Sequence, residues 1–485
     1  ARHLTMESVL LALAGGAAGL VLALWAVRTF VVLAGNQLPR AATIEIDARV
    51  LAFTAVVSIL VGVFCGLWPL VLLRTKELMP AVREGDTRTV SGAGRGFGNG
   101  LVVAEIALAF ALLVGASLLV KNLVLLRQRD AGIRTEGIVT FDVRPAGPRY
   151  EAPERQLAFY RDLHERLSAT AGIQSAGMTS HLPMFSFGWN GEFSIEGGNP
   201  WGPHEAPLVE YRWIHGDYLE TMNIPLVRGR VLDDRDRRDS RTVLINRAMA
   251  EKFWPGRDPI GRRFGQGADT SRWYEVVGVL GDVRSFGLAR TTPYEFYRRI
   301  EQNPFAAMTV VIRTDGADPT AVVPTARRLV ASIDATVPVS RVQTMEDVVA
   351  DSVGQPRLMS ALTAVFGALA GLLAMVGVYG VMAYNVRRQR REFGIRLALG
   401  AEPARVRRLV VGRGLGLALV GVTAGGVGAW LLTGVLKTML HDVRPTDASV
   451  FAGTAAAVLV VVLLASYPPA RAAGSVDAVV VLRDS

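Results

Sequence analysis

One cysteine in 485 residues is the scarcest feature of this chain. A lone thiol closes no internal disulfide, so a small secreted scaffold held by bridges is excluded. Charge is thin as well: 20% of residues are charged, below the ~25% of an ordinary soluble domain. The six histidines, at 3, 164, 181, 204, 215 and 441, show no metal-ligand spacing. His164-Glu165 is followed by no second histidine at the interval a zinc-binding helix needs. No G-x-x-x-x-G-K-S/T stretch is present to cradle ATP phosphates, and no G-x-S-x-G elbow to present a nucleophilic serine. No catalytic, cofactor or metal site is therefore expected. What the chain has in quantity is apolar surface: 50% hydrophobic residues and a mean hydropathy of +0.30. That content excludes intrinsic disorder. A formal charge of +10 fits nucleic acid, an anionic membrane or the cytoplasmic loops of a membrane protein, and the placement of the charges decides among them.

Crossing a bilayer takes ~20 apolar residues. Uncharged runs of 24, 29, 23 and 23 residues lie between Arg49 and Arg74, Arg357 and Arg387, Arg413 and Lys437, and Asp447 and Arg471. A fifth span is predicted from Ser8 to Ala34, where Arg28 can snorkel to the interface. The sixth, Leu101 to Val120, carries Glu105 about one turn in. The fold class expected is thus an α-helical integral membrane protein of about six transmembrane helices with a large α/β (α+β) extracytoplasmic domain. A signal peptide fits the first segment poorly, because the segment is too long and no convincing cleavage site follows it.

Alternation of six spans puts residues 1–7, 74–105, 387–413 and 471–485 on one side, with 17 Lys/Arg against 9 Asp/Glu. The loop 387–408 alone holds eight arginines. Basic loops stay inside. This side is read as cytoplasmic, with both termini on it, and a multi-pass membrane protein is expected. The insert 122–357 then lies outside. It holds 30 basic and 30 acidic residues, so it carries no net charge, and the excess at the cytoplasmic face marks orientation rather than DNA binding.

Inside the insert, strands are predicted at 136–145, 173–183, 273–284 and 307–314, and helices at 153–172, 318–334 and 345–353. Residues 241–256 read as strand then helix, with 258–264 as a turn. The alternation implies an α/β or α+β domain of one or two lobes. The Gly-, Pro-, Trp- and Phe-rich stretch 185–207 reads as an exposed loop, and DDRDRRD (233–239) as a solvated turn.

The two ends of the chain resemble each other. ESVLLALAGGAAG (7–19) lies over RGLGLALVGVTAG (413–425), an offset of 406. IDARVLAFTA (46–55) lies over TDASVFAGTA (446–455), an offset of 400 that continues through Pro69/Pro469, Glu77/Asp477 and VREG (82–85) over LRDS (482–485). The expected layout is two spans of a first unit at 1–85, a glycine-rich cytoplasmic linker at 86–100, and a second unit. That second unit has a span at 101–121, the outer domain at 122–357, a span at 358–386, a cytoplasmic coupling loop at 387–408, two spans within 409–470 and a tail at 471–485. By symmetry the first unit is expected to lack its opening span, its outer domain and a third span, so an N-terminal truncation is expected.

RRQRREFGIRLALGA (387–401) resembles the cytoplasmic loop R-x-x-E-I/F-G-I-R-x-A-L-G-A of the MacB/FtsX-type permeases of bacterial ABC transporters. AEIALAFALLVGASLLVKN (104–122) resembles that family's first span. DYLETMNIPLVRGR (217–230), NRAMAEKFWPGRDPIGRRF (246–264) and VVGVLGDVR (276–284) resemble its outer-domain signatures. The doubled layout is similar to the duplicated, acidobacterial orphan-type members, although a first counterpart of the FGIRLALGA loop is absent. The resemblance implies a non-catalytic permease subunit whose loop docks on a separate ABC ATPase subunit. It also implies an outer domain moved by hydrolysis there, and a periplasmic adaptor or envelope protein as a further partner.

The residues expected to dock the ATPase are Arg390, Arg391, Glu392, Gly394, Ile395, Arg396, Leu399 and Gly400. Gly394 and Gly400 are read as punctuating a short helix on which Ile395 and Leu399 form an i,i+4 apolar ridge inside a basic collar. The plainer reading is a basic loop lying on anionic lipid headgroups. SGAGRGFGNG (91–100) is read as a flexible joint and Cys65 as a small apolar residue within a span. Glu105 and Glu7 are read as interfacial acids that snorkel or pair with loop arginines. The function expected is an ABC-type export or mechanotransmission permease. The alternative is an FtsX-like membrane-anchored regulator of an envelope enzyme, or a sensor, that transports no solute.

Overall fold

The computed structural model describes residues 2–34, 47–74, 88–185, 188–198, 206–236, 240–266, 273–316, 318–436, 440 and 443–475. The chain enters through α1 (Arg2–Ala34), α2 (Ala48–Arg74) and α3 (Arg88–Gln128). An inserted unit follows, with β1 (Ile138–Val143), α4 (Pro153–Ser168), β2 (Ile173–Thr179), β3 (Trp189–Ile195), β4 (Leu208–Gly216), α5 (Tyr218–Thr221) and β5 (Leu226–Gly229). It continues with β6 (Thr242–Asn246), α6 (Arg247–Phe253), β7 (Arg263–Gln266), β8 (Trp273–Leu280), β9 (Glu295–Arg299) and β10 (Met308–Thr314). It closes with α7 (Val323–Ile333), β11 (Val339–Thr344) and α8 (Met345–Ser352). Helices α9 (Gly354–Arg388), α10 (Arg390–Ala398), α11 (Pro403–Leu436) and α12 (Ala448–Gly474) complete the chain. It divides into a helical unit, 1–123 with 355–485, and the inserted unit, 124–354.

Among the described residues, four helical stretches are long and apolar enough to cross a membrane: Gly98–Gln128, Gly354–Arg388, Pro403–Leu432 and Ala448–Gly474. The two further predicted spans are helical as α1 and α2, in which the apolar stretches Val9–Trp25 and Ala48–Val63 are shorter. Helix α3 is the most enclosed of the four long ones and touches the other three. Leu113 abuts Gly367 of α9, Ile106 abuts Gly421 of α11, and Phe110 meets the Phe451 ring of α12 edge-on at 6.4 Å. Ser360 Oγ of α9 donates to the Leu119 carbonyl at 3.1 Å, tying α9 to α3. At that same end Lys121 Nζ lies 2.6 Å from Asp447 Oδ2 and 3.2 Å from Ser449 Oγ.

Two expectations need correction here. The glycine-rich run 91–100 is helical and continuous with α3, because extending an established helix requires no new nucleation. Glu105 makes no ion pair among the described residues; its carboxylate fills the notch at Gly377, where the missing side chain leaves room. The side chains of Glu7 and Cys65 and the tail 476–485 lie outside the described residues.

Among the described residues, the inserted unit forms one eleven-stranded sheet with two kinds of packing. Strands β11-β1-β10-β2-β4 pair antiparallel, and the amphipathic helices α4 and α7 cover them. Phe159, Tyr160, Leu163 and Leu167 of α4, with Ala326 and Val330 of α7, bury against Val139, Phe141, Val310 and Ile312. Beyond β4 the order β3-β7-β8-β6-β9 returns to β4 through a parallel β4–β9 pairing, so these six strands close on themselves. Closure removes free edges. Phe193, Val243, Ile245, Phe264, Val276 and Phe296 fill that second core. Strand β4 belongs to both parts. Where they meet, Arg212 and Glu295 form an ion pair 2.8 Å long with both side chains fully buried. Tyr297 Oη donates to Glu295 at 2.7 Å, and Arg212 Nη1 donates to the His181 carbonyl at 2.6 Å.

The predicted strands and helices of the insert are present with shorter ends, while β3, β4, β5, β7, β9 and β11 went unpredicted. The stretch 185–207 holds β3, with 186–187 and 199–205 outside the described residues. The acidic turn at 233 is less solvated than its charges suggest. Asp236 is buried and takes two hydrogen bonds from the Arg230 guanidinium, at 2.6 and 2.9 Å, and one from Thr242 at 2.6 Å.

Candidate docking site

The segment that joins α9 to α11 carries every residue expected to meet a partner. Helix α10 begins after Gln389, whose side chain accepts a 2.6 Å hydrogen bond from Arg413 of α11. It ends at Gly400, where φ is +89°, a left-handed conformation that favours glycine. The Gly400 N–H donates to Leu397 O and the Ala401 N–H to Arg396 O, satisfying the last carbonyls of the helix.

Its inward side is apolar and enclosed. Phe393 is 1% exposed and packs with Val386, Val406, Val410, Ala470 and Ala473, and Leu397 borders the same cluster. Helix α10 is thus held against the ends of α9, α11 and α12. Fully burying a Phe side chain is worth ~1.5–3 kcal/mol, enough to hold a nine-residue helix that would not stand alone in water. Gly394 is buried within the helix and does not punctuate it; only Gly400 does, which corrects that expectation.

The outward side is a different surface. Leu399 is 82% exposed and Ile395 41% exposed, four residues apart on one stripe. Arg390, Arg391 and Glu392 are exposed, and Arg396 pairs with Glu392 one turn back. At the start of α11, Glu402, Arg405, Arg408 and Leu409 line an open cleft of about 530 Å³. An isolated exposed leucine needs no explanation, but an apolar stripe set among arginines on a firmly seated short helix can fill a groove on a partner. Phe393 escaped the residue-by-residue reading. Its signal was its place two residues before Ile395, which puts it on the opposite side of the helix.

Among the described residues no cluster of His, Cys, Asp or Glu could hold a metal ion.

Residues 100–329 match the family model of the MacB-like periplasmic core domain, and residues 364–476 match that of the FtsX-like permease C-terminal region. The chain is 26% identical over 291 residues to the probable syringafactin export ATP-binding/permease protein SyfD of Pseudomonas syringae pv. tomato. That match covers 56% of this chain and 42% of the relative. It is 25% identical over 281 residues to the macrolide export ATP-binding/permease protein MacB 2 of Aeromonas hydrophila, covering 55% and 42%. The match thus takes in less than half the length of either relative. Among solved structures, the periplasmic region of MacB from Actinobacillus actinomycetemcomitans aligns with 45% of this chain and 92% of its own, at 14% identity and a TM-score of 0.31. With a MacB-like core domain followed by FtsX-like membrane helices, the chain belongs to the MacB/FtsX-like permeases, the membrane components of ABC systems.

Proposed function

We propose that this chain is the permease subunit of an ABC-type export or mechanotransmission complex and that a separate ATPase subunit docks on α10. The seated helix with its exposed Ile395–Leu399 stripe is the observation that carries this reading. The absence of a phosphate-binding G-x-x-x-x-G-K-S/T stretch from residues 1–485 is consistent with hydrolysis on the partner. Because Phe393 couples α10 to α9, α11 and α12, a push on the exposed stripe is transmitted to the ends of three long helices. Helix α9 leads directly from the inserted unit. Motion of the partner would therefore reach the inserted domain through α9.

In this reading the basic end of the bundle is cytoplasmic, both ends of residues 1–485 lie inside, and the inserted domain stands outside the inner membrane. The domain limits read from the sequence, including a coupling loop at 387–408, belong to the same proposal. The outer domain would act on a substrate already outside, with an adaptor or envelope protein as a further partner. The second reading is a membrane-anchored regulator of an envelope enzyme, and the neutral, partner-sized outer domain suits it equally. Co-purification of an ABC ATPase subunit with the tagged chain tests the docking. Ile395→Asp with Leu399→Asp should release the subunit while the inserted domain unfolds at its usual midpoint; retention of the subunit would reject α10 as its seat. Stimulation of the bound ATPase by an exported substrate favours transport, and stoichiometric capture of an envelope hydrolase favours regulation.

A further inference from the structure

A charged cleft of about 740 Å³ opens in the inserted unit where the chain leaves α3. Asp130, Arg134 and Glu136 line it from the connection between α3 and β1, Arg247 from the first residue of α6, and Asp282 and Arg284 from the loop after β8. Backbone contacts tie these segments together. The Arg284 N–H donates to the Ala131 carbonyl at 3.1 Å, the Arg134 N–H to the Met222 carbonyl at 2.8 Å, and the Gly281 N–H to the Pro225 carbonyl at 2.8 Å. Gly132, at φ +74°, lies against the Asp282 carbonyl, where no side chain would fit. The cleft is therefore formed without a ligand.

Its charges divide into engaged and open groups. Arg284 donates to the carbonyls of Asp130 and Arg290, both at 3.3 Å. Asp282 Oδ1 accepts from the Ala248 N–H at 2.8 Å, and Asp130 Oδ1 from the Gly132 N–H at 2.9 Å. The second oxygen of each carboxylate takes no hydrogen bond among the described residues. There too, no side-chain hydrogen bond or ion pair reaches Arg134, Arg247 or Glu136.

Three arginines thus face three carboxylates in one cleft, and its lining sums to zero. A lone anion or cation gains no net attraction there, whereas a ligand carrying both signs is satisfied at both ends. The volume falls within the ~300–1,000 Å³ of small-molecule sites, but the charged lining disfavours an apolar guest. Paired guanidinium N–H groups match the oxygens of a phosphate, and open carboxylate oxygens accept from an ammonium.

We propose that the cleft binds a phosphoethanolamine zwitterion, with the phosphate on Arg134 and Arg247 and the primary ammonium on Glu136, Asp130 and Asp282, and that it takes this group from a phospholipid headgroup. The lipid source follows from the chain. Asp130 stands two residues past Gln128, the last residue of a stretch long and apolar enough to cross a membrane. That source rests on the reading that α3 spans the bilayer; the chemistry of the cleft does not.

Titration calorimetry on the full chain separates the two. In nanodiscs of phosphatidylcholine, soluble glycerophosphoethanolamine should bind about tenfold tighter than glycerophosphocholine, whose quaternary ammonium has no N–H to donate, and than inorganic phosphate. Arg134→Gln with Arg247→Gln should weaken both glycerophosphodiesters about tenfold. Glu136→Gln should weaken the ethanolamine compound alone, a selective loss that misfolding would not give. In nanodiscs half composed of phosphatidylethanolamine, the bilayer lipid should compete and lower the apparent affinity for the soluble compound about tenfold. Unchanged affinity there would reject the membrane as the source. Equal affinity for the two glycerophosphodiesters, tighter binding of glycylglycine, or indifference to the arginine substitutions would overturn the site itself.

Discussion

Phe393 and Ile395 lie two residues apart on α10 and face opposite ways: Phe393 is 1% exposed among Val406, Val410 and Ala473, while Ile395 is 41% exposed. One short helix is thereby both anchored and presented. The two roles separate experimentally. Phe393→Ala should cost about 3–5 kcal/mol of packing at the ends of α9, α11 and α12 and lose the proposed ATPase subunit as well. Leu399→Asp should lose the subunit and leave the packing intact. Thermal unfolding in detergent and co-purification, run on both variants, distinguish them.

Arg212 and Glu295 predict a second asymmetry. Both side chains are fully buried, so removing one strands the other's charge. Glu295→Ala should destabilise the inserted domain by about 3–5 kcal/mol, and Arg212→Met with Glu295→Leu by less. Urea unfolding followed by the domain's tryptophan fluorescence reads the difference. A double variant worse than the single one would contradict it.

The end of the helical unit that carries Lys121 and Asp447 predicts a graded response. Asp447 caps α12 and also accepts from Lys121. Asp447→Ala removes both interactions and should cost about 1–2 kcal/mol. Lys121→Ala removes a partly exposed ion pair and the exposed hydrogen bond to Ser449, leaves the cap in place, and should cost under ~1 kcal/mol. Melting temperatures of the two variants in detergent should fall in that order.

Acid should weaken the inserted domain in two windows. Burial, and then the Arg212 guanidinium, push the His181 imidazole down to about 4 from an ordinary 6.5. Between those values the unfolded chain binds the extra proton, so stability is full above about pH 6.5 and falls as pH drops towards 4. Burial alone would raise the Glu301 carboxyl, but hydrogen bonds from His215 and Arg299 overcome it and hold the group at about 2. Its contribution is present above an unfolded value of 4.5 and is lost as pH falls towards 2. Unfolding midpoints across pH 7 to 3 should show both slopes. His181→Gln should flatten the upper one and Glu301→Gln the lower.

Much of this was legible in the chain because bilayers impose a coarse rule. Charge-free runs such as 358–386 and 448–470 can be read without knowing what they touch. Helix α4 was legible for a related reason: its apolar residues recur at helical spacing and it begins at Pro153. The closed half of the inserted unit was not. β7 has four residues and β9 reads EFYRR, so their strand character comes from pairing with β3, β8, β4 and β6 rather than from local alternation. Arg212 and Glu295 carried no signal in the sequence, and Asp236 read as part of a solvated turn, because burial of a charge depends on a partner remote in sequence. At the docking site the exposed stripe of Ile395 and Leu399 followed from i,i+4 spacing. The anchor Phe393 did not, because its contacts on α11 and α12 are brought to it only by the fold.

The docking of a separate ATPase on α10 is tested most directly by a photo-reactive amino acid at position 399, with the same group at position 419 on α11 as a comparison. Leu399 and Leu419 are both exposed, but in the proposed assembly only the first faces a partner and the second faces lipid. Cross-linking in intact cells should give an ABC ATPase adduct from position 399 that is lost with Ile395→Asp, and no such adduct from position 419. Equal adducts from both positions, or lipid alone from position 399, would contradict the proposal that α10 is where hydrolysis reaches this permease.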